Sequence, residues 1–401
     1  MVDVSGTRVE GPLELFASGF AAELTRTGYT PLSASKQLEL AAHLSRWLDS
    51  EALDVAALTP SAVDAFLVAR RARYRSLRSA KALEPLLSYL RHRGVTPALT
   101  ADSVSDPVDV LVERFRGYLL AERGLTDAAA RGYIELIRPF VVICARRNGV
   151  GLDELTPGEV TSFMVSESHR LAPKTLQRLA SALRSLLRFW YVDGVLAVSL
   201  ADVVPKVANR RPALPQALQP AHVHALLDSC DLGSPSGLRD FAMLTLLSRT
   251  GLRAGEVAGM RLEDIDWRRG EITVRGKGDR HDRLPLPADV GESIVEYLRS
   301  GRPVTALDRS VFIRVKAPHR GLTSGGVTQA VAAAGRRAGL GAIYAHRLRH
   351  TAATSMLAAG AGLAEIGQVL RHRRPLTTAV YAKVDTATLR TLARPWPAGV
   401  S

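Results

Sequence analysis

The chain has 401 residues, 46% of them apolar, and a formal net charge of +14. That length allows two or three domains with cores of their own, and the composition is that of a globular protein rather than a disordered one. Two cysteines without metal-type spacing, Cys144 and Cys230, exclude a disulfide framework and a zinc ribbon; each lies in an apolar helical context and reads as a buried free thiol. No segment approaches the roughly 20 apolar residues of a membrane span, and the first residues are acidic rather than basic-then-apolar, so the expected location is cytoplasmic and nucleoid-associated. The positive excess is mostly arginine, whose planar fork suits bidentate phosphate contacts, and it points to a polyanionic partner, nucleic acid first. An unspecialised basic surface is the plainer explanation of charge alone.

The first half reads as helical and as an internal repeat. LTPSAVDAF at 58–66 matches LTPGEVTSF at 155–163, and LLSYLRHRGV at 86–95 matches LLRFWYVDGV at 186–195. The helical pattern over 38–48 resembles that over 133–144. Each copy reads as four amphipathic helices, and in the second Leu136, Phe140, Ile143 and Cys144 follow helical spacing. Thr59-Pro60 and Thr156-Pro157 read as a helix cap followed by proline at the first helical position. Basic residues recur in both copies. Arg70, Arg71, Arg73, Arg75, Arg78 and Lys81 lie in the first; the second holds Arg131 and, around a helix whose other face is Leu176, Leu179, Leu183 and Leu187, Lys174, Arg178, Arg184 and Arg188. A solvated basic face is the usual meaning of such a pattern; in a chain this basic, helices laid against DNA phosphates are the working expectation.

Residues 203–220 hold four prolines and the pair Arg210 and Arg211, and read as a linker that also touches DNA. Two helices follow, the second ending at Gly251. Three short strands are then expected, LEDIDW, EITVRG and RLPLP, with Ile272 and Val274 facing inward and KGDRH as the turn. The remainder reads as helical, broken at 339–341, 360–362 and Pro375.

The last third carries the chemistry: Arg253 in TGLRAGE, Lys277 in RGKGDR, His346 and Arg349 in HRLRHT, His372 in LRHRRP and Tyr381 in TTAVYAK. Attack on a phosphodiester builds negative charge on the non-bridging oxygens, which preorganised cations stabilise. Arg253 and Arg349 suit that task, and His346 shares a helix face with Arg349 at i and i+3. Lys277 on a hairpin turn is a candidate general acid for the leaving 5′ oxygen, and His372 can donate to a non-bridging oxygen. A tyrosine hydroxyl, with a pKa of about 10, needs a base or a cationic site to attack near neutral pH, and His346 is the candidate base for Tyr381. Tyr297 and Tyr344 are rival nucleophiles on distance alone; Tyr344 is expected to pack. His346 and His350 at i and i+4 could mimic half of a zinc site, but no glutamate follows His346 in HExxH fashion and no third ligand is evident. No phosphate-binding GxxxxGK[ST] loop is present. Neither metal nor cofactor is expected.

These stretches, running from about residue 219 to the C-terminus in this order and spacing, closely resemble the tyrosine recombinase, or phage integrase, family. The resemblance implies paired arginines at 253 and 349, histidines at 346 and 372, a hairpin lysine at 277 and the nucleophile at Tyr381. Glu256 matches a carboxylate that orients the site, and His350 becomes a supporting residue. Residues 107–204 resemble the family's helical core-binding domain, which clamps DNA opposite the catalytic domain. The implied fold is mainly α with a small antiparallel β-sheet in the catalytic domain (α+β), preceded by a helical SAM-like core-binding domain; the internal repeat adds a second helical SAM-like domain before it. The expected divisions are a DNA-binding domain at 1–105, a core-binding domain at 106–204, a linker at 205–220 and a catalytic domain at 221–401.

The implied reaction is site-specific recombination of double-stranded DNA through a 3′-phosphotyrosyl intermediate and a Holliday junction. A homotetramer on two duplexes would carry it out, with other recombinase subunits or accessory DNA-bending proteins as further partners. Supercoil relaxation in the manner of a type IB topoisomerase, chromosome-dimer resolution and non-catalytic DNA binding are the competing readings. Two departures stand out. Arg371 replaces the glycine usual before the second histidine, which would alter the turn or add a phosphate contact. The N-terminal copy does not resemble the β-sheet arm-binding domain of some phage integrases.

Overall fold

The computed structural model describes residues 8–96, 106–148, 154–208, 217–276, 281–371 and 378. Its described residues fall into two compact units: those of 1–98 together with those of 214–401, and those of 99–213. The architecture is mostly helical with a small antiparallel sheet, as the residues implied.

The N-terminal bundle consists of α1 (Glu14–Arg26), α2 (Pro31–Ser50), α3 (Pro60–Arg73) and α4 (Ala80–His92). Leu24, Leu44, Leu48, Phe66, Leu83 and Leu90 belong to its own apolar cluster. Thr59 caps α3 by accepting from the Ala62 amide at 3.3 Å, with Pro60 in the first turn. Within the same unit the bundle rests on the C-terminal part: the His319 amide donates to the Thr27 carbonyl at 3.1 Å, and a cleft of about 750 Å³ runs between Tyr89 and Arg93 on one side and Asp308 and His319 on the other. Gly28, at φ 89, passes so near the His319 ring that an added Cβ would lie 2.2 Å from Nδ1.

The second unit repeats the four-helix plan with α5 (Pro107–Ala121), α6 (Asp127–Asn148), α7 (Pro157–Ser168) and α8 (Pro173–Val192). Thr156 and Glu159 form a reciprocal capping box at the start of α7: the Thr156 amide donates to the Glu159 carboxylate at 2.9 Å and the Glu159 amide to the Thr156 hydroxyl at 3.4 Å. Leu179, Leu183, Leu186, Leu187 and Trp190 line the buried face of α8; each such leucine stabilises the unit by about 1.5–3 kcal/mol relative to exposure. On α6 the inward residues are Ile137, Phe140, Val141 and Cys144, whereas Ile143 is half exposed, so the apolar stripe is rotated from the expected one.

The C-terminal part contains α9 (Pro220–Asp228), α10 (Pro235–Thr250), α11 (Ala254–Ala258), α12 (Ala288–Glu296), α13 (Ser324–Arg337), α14 (Ala345–Ala358) and α15 (Leu363–Val369). The strands β1 (Ile265–Asp266), β2 (Glu271–Arg275) and β3 (His281–Pro285) lie between α11 and α12, paired antiparallel in that order. Ile272 and Val274 are buried, as their alternation implied. The first strand is shorter than LEDIDW suggested, because the Asp264 carboxylate accepts from the Arg261 amide at 2.8 Å and closes residues 262–264 into a turn of 3₁₀ helix. Cys144 and Cys230 are buried free thiols, and burial pushes the Cys144 thiol up to about 12. No described helix is long and apolar enough to cross a membrane.

Candidate active site

The site is built around the end of α10. Gly251 terminates that helix at φ 63, the left-handed conformation that glycine adopts without a side-chain penalty. An added Cβ would lie 2.6 Å from the Leu370 side chain and 3.3 Å from that of Ala352. Arg253 therefore emerges from a tightly packed turn, directly before α11. Glu256, three residues on, holds it twice: one carboxylate oxygen accepts from the Arg253 amide at 2.7 Å, the other from its guanidinium at 2.7 Å. Burial opposes the charge on Glu256, but the Arg253 amide and the guanidiniums of Arg371 and Arg253 outweigh it and hold the carboxyl below its usual range.

Arg349 reaches the same turn from α14. It is only 2% exposed, and its guanidinium donates to the Gly251 carbonyl at 2.6 Å and to the Leu370 carbonyl. Two arginines distant in sequence are thus drawn to one backbone turn, and the end of α15 is tied to it as well. His346 and His350 meet edge to face, with ring centroids 4.3 Å apart. His346 is exposed. Burial, His346 and Arg349 push the His350 imidazole down to about 4, so it is neutral at physiological pH.

Arg371 closes α15 at φ 54. Its guanidinium is turned inward: it donates to Glu256 at 2.6 Å and to the Val369 carbonyl at 3.0 Å. The residue does adopt the turn conformation that favours glycine, but its charge goes to a protein carboxylate rather than to an exposed phosphate contact. Sequence reading missed this link, and it missed the Gly251 and Leu370 carbonyls as ligands of Arg349. Nothing in local spacing announces either.

Lys277, His372 and Tyr381 lie outside the described residues, as do Arg210 and Arg211. The strands flanking residues 277–280 are described; Arg275 pairs with His281 across them and its guanidinium holds Asp264 at 2.8 Å. Thr378, three residues before Tyr381, is buried, and an added Cβ on Gly367 of α15 would lie 3.0 Å from its hydroxyl. Of the rival tyrosines, Tyr297 is a core residue whose hydroxyl accepts from the Ile313 amide at 3.1 Å and is pushed up by burial. Tyr344 is exposed at the start of α14 rather than packed.

The basic residues of the helical bundles separate into two kinds. Arg71, Arg73, Arg75, Arg78, Arg131, Lys174, Arg178 and Arg188 are exposed. Arg70 departs from that expectation: it is buried, stacks on Tyr74 and donates to the Leu77 carbonyl at 2.9 Å, because the chain after α3 folds back over it. Arg184 is half-buried and donates to the Val204 and Pro205 carbonyls at 3.0 and 2.9 Å, fastening the segment after α8. Arg131 is paired with Asp127 at 3.1 Å on the surface of α6.

Residues 216–388 match the model of the phage integrase family, and residues 112–194 match the N-terminal SAM-like domain of phage integrases. The chain is 37% identical over 393 residues to the integrase/recombinase y4rA of Sinorhizobium fredii, covering 97% of this chain and 95% of that protein. The chain belongs to the tyrosine recombinase, or phage integrase, family. It is therefore an enzyme that cuts and rejoins DNA. The tyrosine recombinase XerC of a Mycobacterium species is 30% identical over 71% of this recombinase and 97% of its own length. Among solved structures, XerH bound to a palindromic difH substrate matches 84% of this chain and 95% of its own at a TM-score of 0.56 and 18% identity. A lambda integrase dimer bound to a COC′ core site matches 79% and 88% at a TM-score of 0.53 and 15% identity. At those identities the two structures speak for the fold alone. The y4rA match leaves little of this recombinase outside it, so the sequence similarity extends over the N-terminal bundle as well as the residues that match the family models.

Proposed function

We propose that this protein is a site-specific recombinase of the integration or transposition type, with Tyr381 as nucleophile. Tyr381 attacks the scissile phosphate, forms a 3′-phosphotyrosyl bond and releases a 5′ hydroxyl. Arg253 and Arg349 hold the non-bridging oxygens as charge builds on them. His346 takes the tyrosine proton, Lys277 protonates the departing 5′ oxygen, and His372 donates to a non-bridging oxygen. Glu256 orients Arg253, and His350, neutral beside His346, supports the helix face that carries it. The 5′ hydroxyl of a partner duplex then displaces Tyr381, and two such exchanges pass through a Holliday junction. The phosphotyrosyl bond retains the energy of the phosphodiester, so the chemistry requires neither ATP nor a metal. Four copies of the chain on two duplexes would complete the exchange, with other recombinase subunits or DNA-bending proteins as further partners. The exposed basic residues of the helical bundles would contact phosphate and position the protein without specifying sequence.

The observation that supports this most is the convergence of Arg253 and Arg349 on the turn at Gly251, beside the residue that immediately precedes His372. Covalent capture tests it. The purified protein is incubated with fragmented DNA from its host without metal or ATP, denatured, and the protein-linked fragments are sequenced, with Tyr381→Phe in parallel. Adducts at a defined sequence, absent from the variant, are expected. Adducts scattered over all sequences would favour topoisomerase activity, and binding without adducts, on nicked trapping substrates as well, would leave a DNA-binding regulator.

A further inference from the structure

Arg371 has no role in the reaction as proposed, yet it occupies a left-handed backbone position that disfavours side chains and is almost fully enclosed. Its guanidinium sits between carboxylates of two elements, 2.6 Å from Glu256 on α11 and 4.0 Å from Asp282 on β3. Glu256 is in turn the partner of Arg253, and the Arg253 guanidinium also comes within 3.5 Å of the Arg371 carbonyl. If Glu256 and Arg253 were alone, their charges would cancel, and the buried carboxylate would draw Arg253 toward itself. With Arg371 on the same carboxylate, Glu256 and its two arginines carry one net positive charge, and Asp282, 4.0 Å away and half exposed to solvent, offsets it only weakly, so Glu256 can orient Arg253 without neutralising it. The strand β3, which carries Asp282, is also the strand that follows Lys277 in sequence.

We infer that Arg371 is a positioning residue: through Glu256 it holds Arg253 in place and leaves its charge for the phosphate. The inference rests on the reading of Arg253 as a phosphate ligand. Arg371→Gly suits the left-handed turn and so preserves the backbone while deleting the guanidinium; Arg371→Lys keeps the charge but not the fork.

Two readouts separate this idea from the recombinase reading. The first is the titration of the Glu256 carboxyl by carbon NMR in the full-length protein, assigned with Glu256→Gln. In Arg371→Gly it should titrate at higher pH than in the wild type, and in Arg371→Lys it should stay low. The second is adduct formation on the fragment that covalent capture recovers. Arg371→Gly should lose on the order of 10- to 100-fold in rate at saturating DNA, the scale of a misplaced reacting group. Its half-saturating DNA concentration should stay nearly unchanged, and the acid limb of its pH–rate profile should move to higher pH. Arg371→Lys should restore that limb and part of the rate. An unchanged Glu256 titration with a wild-type rate would overturn the inference. Absence of adducts with the wild type would count against the recombinase reading, and the Glu256 titration alone would then decide the role of Arg371.

Discussion

His350 faces the His346 ring on α14, and burial together with His346 and Arg349 lowers its imidazole from 6.5 to about 4. The unfolded chain therefore binds a proton at this position between those two values while the folded protein does not. By linkage the contribution to stability is complete above the unfolded value and is lost as pH falls through that window. His350→Gln should melt with a shallower dependence on pH across it than the wild type, the difference being moderated by the ring's partial exposure to solvent. Parallel melting curves at every pH would sink the assignment. His346 and Arg349 could be picked out from sequence because they stand three apart, the spacing that puts side chains on one helix face; Arg253 and Glu256 were legible through the TGLRAGE motif and its family resemblance, and Glu256 binds back to the extended residue that starts α11. The role of Arg371 could not, since it depends on a backbone angle and on a carboxylate from a distant segment. Nor could charge pattern separate Arg70 from Arg71: both are arginines near the end of one helix, and only the path of the chain after α3 decides which is covered.

Helix caps were legible for the same local reason. Thr59 and Thr156 satisfy the amides of the first turn with their own hydroxyls, and proline beside them needs no amide partner there. The facing of α6 was harder to see, because Ile143 fits the helical period nearly as well as Val141 and the packing of α5 and α8 chooses between them. On α8 two arginines one turn apart have different work. Arg184 holds two backbone carbonyls, and Arg188 faces solvent. Arg184→Ala should lower unfolding stability by about 1–3 kcal/mol, the cost of leaving such groups unpaired, with little change in the salt dependence of DNA binding. Arg188→Ala should shift stability by no more than ~0.5 kcal/mol. It should flatten the plot of log affinity against log salt by about 0.9 if it contacts a phosphate. Chemical denaturation and binding titrations over a salt series read out both.

Over the whole molecule, the N-terminal bundle has a core of its own and also lies against the C-terminal part through Thr27, Gly28 and His319. The repeated Thr-Pro starts of α3 and α7 and the shared four-helix plan support reading it as a second DNA-binding bundle. Removing residues 1–100 should therefore weaken DNA binding or shorten the footprint; full affinity and an unaltered footprint would leave the bundle only its packing role. The apolar clusters of residues 9–90, 108–204 and 218–348 are distinct from one another. Over evolutionary time that separation lets selection act on the parts at different speeds. Exposed residues of the helical bundles can be replaced without disturbing the interior of the part that holds Arg253 and Arg349.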